Sequence, residues 1–175
     1  HISSTALLAD RHSLPPHGMT DANDAYTQLL GLFSHEYFHA WNVKSIKPAA
    51  FTPYDLDREN YTEQLWAFEG ITSYYDDLFL ARSRTIAPEA YLRLLAQSIT
   101  RVQQTKGRLK QSLAESSFTA WNKFYKQDEN SPNAIVSYYQ KGALAALCLD
   151  LVIRSKSSGR HTLDRVMQQH YRDWL

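Results

Sequence analysis

The string His35-Glu36-Tyr37-Phe38-His39 constrains this chain more than any other stretch of it. Two histidines four positions apart stand one above the other when the backbone between them is helical. The flanking apolar residues Tyr26, Leu29, Leu30, Leu32, Phe33 and Phe38 have the spacing of a helix with an extensively buried surface. Asp21 or Asp24 is expected to cap that helix, which is predicted to run to about Val43. On it, both imidazoles can reach one Zn²⁺ at roughly 2.0–2.1 Å. Glu36, at the edge of the same face, can take a proton from a water and later hand it to a leaving amine. A metal lowers the pKa of water from about 15.7 towards about 7, so no side-chain nucleophile is needed. With 7 His in the chain, chance produces such a pattern only about 0.01 times.

A catalytic zinc usually takes three protein ligands and keeps one position open. No third His follows at the short spacing His-x-x-Gly-x-x-His, and Cys148 sits among small apolar residues. Glu69 is the best third ligand. It lies mid-helix in Trp66-Ala67-Phe68-Glu69-Gly70, where an ionised carboxylate is costly unless paired or metal-bound. Its neighbour Gly70 permits another backbone to come close, at a helix cost of about 1 kcal/mol. Glu63 reads as a solvated helix residue. Asp76 and Asp77 could orient a ligand histidine, but a solvated helix face is the preferred reading.

The rest of the chain reads as helices joined by loops. Pro15, Pro16 and Gly18 make the first 20 residues irregular, and Pro48 and Pro53 mark a loop. A second helix is predicted over Thr62 to about Ser83, and a third from Pro88 to about Gln104. Residues 105–134 promise short helical pieces and a turn at Asn130-Ser131-Pro132-Asn133. A fourth long helix is predicted from about Ser137 to Arg154, and a last one from Thr162 to the C-terminus. No strand has a period-2 pattern, so the fold class expected is mainly α with little or no sheet.

Composition narrows the function classes. The net charge of +1 gives no argument for nucleic acid or an anionic membrane. The basic stretch from Arg101 to Lys110 reads as a solvated face. No run of 18 apolar residues suggests a membrane span. The one cysteine, Cys148, cannot form an internal disulfide and is expected in the core. His12, His17, His161 and His170 read as surface residues.

Longer strings carry a resemblance. Ser34-His35-Glu36-Tyr37-Phe38-His39-Ala40-Trp41-Asn42-Val43-Lys44, Glu69-Gly70-Ile71-Thr72-Ser73-Tyr74-Tyr75 and Ser137-Tyr138-Tyr139-Gln140-Lys141-Gly142 look like the glycyl aminopeptidase family M61. The resemblance implies a thermolysin-like (gluzincin) helical catalytic domain. It implies Zn²⁺ held by His35, His39 and Glu69, with Glu36 as general base and acid. It also implies a peptide substrate, with release of small N-terminal residues such as Gly or Ala. Tyr139-Gln140-Lys141-Gly142 is similar to a Tyr-x-Lys-Gly string of the leukotriene hydrolase and aminopeptidase N group, whose tyrosine hydroxyl donates to the oxyanion. That match assigns the role to Tyr139, with Tyr138 as the rival.

M61 proteins are longer than this chain, with a β-rich region before such a segment and a PDZ domain after it. Residues 1–175 are therefore expected to be a single catalytic domain cut from a longer protein. The family's Gly-Gly-Leu-Glu-His string survives here only as its last residue, matched to His1. Its missing Glu is the natural anchor for a substrate amino terminus, and no substrate-contacting residue is assigned. Rival readings are an endopeptidase with the same chemistry, a non-catalytic peptide-binding or scaffolding protein on a peptidase fold, and a structural metal site. A cytoplasmic location is favoured over a periplasmic or secreted one.

Overall fold

The computed structural model describes residues 4–174, and among them the architecture is all helical. The long helices are α1 (Asp24–Phe38), α2 (Ile71–Arg82), α3 (Pro88–Gln104), α6 (Tyr138–Lys156) and α7 (Leu163–Trp174), with the shorter α4 (Leu113–Phe118) and α5 (Ser131–Ala134) between α3 and α6. The only pairing of extended backbone among the described residues is an isolated bridge between Asn42 and Ile46. The mainly α expectation therefore holds. His1 lies outside the described residues.

Local chemistry sets the helix ends. Asn23, not Asp21 or Asp24, caps α1, its side chain accepting from the Tyr26 N–H at 2.9 Å. The helix stops at Phe38 rather than Val43. The Trp41 and Asn42 N–H groups both turn back to the Phe38 carbonyl, and Val43 takes φ 119°, a conformation costly for a β-branched residue. The helix predicted from Thr62 begins later, with a single π turn at Trp66–Gly70 that runs straight into α2. The π geometry leaves carbonyls free for other donors. Asn42 Nδ2 reaches the Phe68 carbonyl at 3.0 Å, Thr72 Oγ1 reaches it at 2.6 Å, and Ser117 Oγ accepts from the Trp66 N–H at 2.9 Å.

The π turn and α2 pack against α6 along a seam of small residues. A Cβ on Gly70 would come within 2.6 Å of the Gly142 Cα, and one on Gly142 within 2.8 Å of the Trp66 carbonyl oxygen. Only glycine at both positions permits this approach. Gly142, Ala146 and Asp150 form the buried stripe of α6. Cys148 faces away from that stripe and is exposed, so it is not the core residue expected from its apolar neighbours. The core proper joins Phe38, Tyr74, Tyr75, Ala146 and Leu163. Phe38 stacks on Tyr75 with ring centroids 4.8 Å apart, which fixes the end of α1 against α2.

Asp150 ties this core to α7. Its carboxylate is 3% exposed and accepts from the Leu163 N–H at 2.6 Å, the Tyr74 hydroxyl at 2.7 Å and Arg154 Nε at 2.8 Å. Burial pushes this carboxyl up, but those three donors outweigh it and hold it below the ordinary aspartate value. Asp150→Ala should cost about 3 kcal/mol at pH 7, because buried donors lose a charged acceptor. A depressed folded pKa stabilises above the unfolded value, near about 3.9, and that contribution fades as pH falls through the folded value. Denaturant titrations should show a constant gap between wild type and variant from about pH 7 to about 5 and a shrinking gap below about pH 4. A gap unchanged at about pH 3 would contradict this assignment.

Candidate metal centre

Helix α1, the π turn and α6 bring the sequence-predicted residues to one place. His35 and His39 lie at the end of α1 with ring centroids 4.7 Å apart and planes 88° apart. Each presents Nε2 to the same atom, Glu69 Oε2, at 3.2 Å. One ligand atom from each of the three residues lies within 4.8 Å of the others. Their side chains are 13%, 8% and 19% exposed, so the cluster is sheltered without being sealed.

The far side of each ring is also engaged. His39 Nδ1 sits 2.8 Å from the Asn42 carbonyl oxygen. A carbonyl only accepts, so Nδ1 carries a proton, and in the neutral ring this leaves the Nε2 lone pair free for a metal. His35 Nδ1 sits 3.2 Å from Asp76 Oδ2, which fixes the same tautomer when Asp76 is ionised. Asp76 is thus no solvated face: it is mostly buried and holds His35. Metal-bound histidines are typically supported by a carboxylate or carbonyl on the other ring nitrogen. This donor set fits Zn²⁺: two Nε2 lone pairs and one carboxylate oxygen, with a fourth side open.

The electrostatics fit a cation as well. Burial lowers the His35 pKa, but hydrogen bonds and charge from Asp76 and Glu69 override it and carry it up to about 9. Burial raises Glu69, yet His35 and His39 hold it down to about 2. Positive charge is therefore welcome where the three ligand atoms meet.

Glu36 and Tyr139 flank the cluster. Both line, with His35, a cavity of about 740 Å³ between α1, α2 and α3. Thr5 Oγ1 donates to Glu36 Oε2 at 3.4 Å. The Tyr139 ring centroid is 6.2 Å from that of His35. Tyr138 instead is 1% exposed and stacks beneath Tyr139 at 4.6 Å. Of the two adjacent tyrosines, Tyr139 faces the side of the site where Glu36 lies. Burial, then the charge of Glu69, pushes the Tyr139 phenol up, so it stays a neutral donor.

Sequence reading missed two contributors. Asn42 accepts from His39 through its backbone and binds the π turn through its amide. Tyr125 lies in a stretch of weak periodicity, yet its hydroxyl meets those of Tyr138 at 3.1 Å and Tyr139 at 3.3 Å. The clustering of Trp121, Phe124 and Tyr125 was the available signal. His12, His17, His161 and His170 are exposed, as expected, and Glu63 is exposed too but lies in a turn rather than in a helix.

Comparison with known proteins agrees with this geometry. The M61 glycyl aminopeptidase family matches over residues 28–145. A solved structure from Idiomarina loihiensis, described as an aminopeptidase N family protein, shares 51% identity and a TM-score of 0.96. The match covers 99% of this chain and 30% of that one, so the chain spans about a third of its solved relative. No curated protein matches the chain. No helix among the described residues is long and apolar enough to cross a membrane.

Removing the support behind His35 should weaken metal binding without unfolding the protein. Asp76→Ala is expected to lower zinc affinity by about 10–100-fold, measured by competition with a chromogenic chelator. Unchanged affinity would show that Asp76 does not orient the ligand.

Proposed function

Because the chain belongs to the M61 glycyl aminopeptidase family, we propose that it is the catalytic domain of a zinc-dependent aminopeptidase. The convergence of His35 Nε2 and His39 Nε2 on one Glu69 oxygen, each at 3.2 Å, carries this reading. Residues 1–175 form one such domain within a longer protein. The substrate is a peptide whose small N-terminal residue, Gly or Ala, is released.

His35, His39 and Glu69 would hold the metal, with Asp76 and the Asn42 carbonyl fixing the imidazoles. When bound, Zn²⁺ supplies Lewis acidity to the scissile carbonyl and makes a nearby water acidic. Glu36 then does the proton work. Its carboxylate takes the proton of the attacking water and returns one to the departing amine. Attack turns the carbonyl oxygen into an oxyanion. The Tyr139 hydroxyl, neutral and held by Tyr125, donates to that oxygen as its charge develops. Such a donor contributes about 3 kcal/mol to the transition state because it is already oriented before reaction.

The shelter of the ligand cluster strengthens these interactions, since charge is poorly screened away from bulk water. The intact combination of His35, Glu36, His39 and Glu69 favours catalysis over a purely peptide-binding role. A structural metal site would close the fourth position with a protein ligand. Among the described residues no further His, Cys, Asp or Glu joins the group.

Glu36→Gln is expected to retain about one zinc per chain by elemental analysis and to lose about 10²–10⁴-fold in peptide hydrolysis. Tyr139→Phe should lower kcat by about 10²–10³-fold with KM little changed. Normal turnover by Glu36→Gln, at full zinc content, would sink the mechanism.

A further inference from the structure

A second cavity, of about 470 Å³, shares no lining residue with the Glu36 cavity. Its walls are apolar and aromatic: Tyr54, Leu65, Trp121, Tyr125 and Tyr138 surround it, and Glu69 borders it. Three of these rings are held half in water, Tyr54 at 49%, Trp121 at 46% and Tyr125 at 60% exposure. Clustered exposed aromatics mark a surface built to be covered. The patch is not loosely assembled. Trp121 Nε1 donates to the Asn60 carbonyl at 3.4 Å, and Tyr125 is anchored through its hydroxyl to Tyr138 and Tyr139. The volume lies within the roughly 300–1,000 Å³ of small-molecule sites.

We infer that this cavity is the subsite for one residue flanking the scissile bond, and that the side chain it takes is large and apolar or aromatic. The cavity begins at a metal-ligand carboxylate, and Tyr125 in its wall touches the proposed oxyanion donor. A peptide with its carbonyl between the metal centre and Tyr139 would pass beside this cavity, because Glu69 borders it and Tyr125 in its wall meets the Tyr139 hydroxyl at 3.3 Å. Offset or edge-on packing against Trp121, Tyr54 and Tyr125 favours an aromatic group there. With Gly or Ala on one side of the cleaved bond, the bulky residue occupies the other. Tyr125 also links occupancy to catalysis, since a ring packed on it steadies the hydroxyl that meets Tyr139. This inference rests on the peptidase reading for its reaction, but not for its binding.

The test uses three dipeptide amides, Gly-Gly, Gly-Phe and Phe-Gly. Their turnover is measured with the zinc-loaded protein, and their affinity for the zinc-loaded Glu36→Gln protein by calorimetry. Gly-Phe should exceed both Gly-Gly and Phe-Gly by tenfold or more in affinity and in kcat/KM, since Gly or Ala is the residue released. Trp121→Ala and Tyr54→Ala, at half-exposed positions, should each bring that ratio towards one. Phe preference in binding without any turnover would uphold the subsite and refute the peptidase reading. Gly-Gly or Phe-Gly binding as well as Gly-Phe, no binding of any of them, or a preference that survives both alanine variants would overturn the subsite.

Discussion

At Gly70 and Gly142 two helical backbones meet with no side chain between them. The site depends on this contact. It lets α6 lie directly on the π turn, and Tyr139, three residues before Gly142, comes with its ring centroid 6.2 Å from that of His35. Glu69, one residue before Gly70, lies in the π turn that forms the other half of this contact. A methyl group at either glycine would meet backbone rather than a movable side chain. Two elements separated by some seventy residues in sequence are thereby fixed relative to each other within the tolerance that catalysis requires.

A second constraint acts through Asn42. Helix α1 ends at Phe38, and the loop that follows returns the Asn42 carbonyl to His39 and its amide to the π turn. One residue thus sets both a ligand tautomer and the position of the third ligand's segment. The buried charge has a similar economy. Glu69 is tolerated because two imidazoles face it, and His35 is held in turn by Asp76. The three candidate ligand atoms are already gathered within 4.8 Å of one another, which would limit the reorganisation that metal binding demands.

Much of this was legible in the sequence, because the chemistry has a helical period. His35, Glu36 and His39 could be placed from their spacing alone, and Glu69 from the cost of an unpaired carboxylate among aromatics. The helices α3, α6 and α7 fell close to their predicted bounds, since Pro88, Ser137 and Thr162 act locally. Tertiary contacts decided the rest. The early end of α1 is set by Phe38 stacking on Tyr75, and the π turn by its contact with α6 and its bonds to Asn42 and Ser117. Asp76 could not be separated from a solvated face without knowing that α1 lies across α2. Cys148 was misplaced because α6 buries its small residues and leaves several larger ones exposed. Tyr125 and the aromatic cavity belong to a weakly periodic stretch whose neighbours are set only by folding.

The proposed chemistry requires that His35, His39 and Glu69 hold a single metal ion. Anomalous diffraction from crystals of the purified protein, at the zinc absorption edge, addresses it most directly. The account predicts one strong peak about 2.0–2.2 Å from both histidine Nε2 atoms and a Glu69 carboxylate oxygen. A zinc-replete crystal with no peak among these three residues, or with its peak on other ligands, would contradict it.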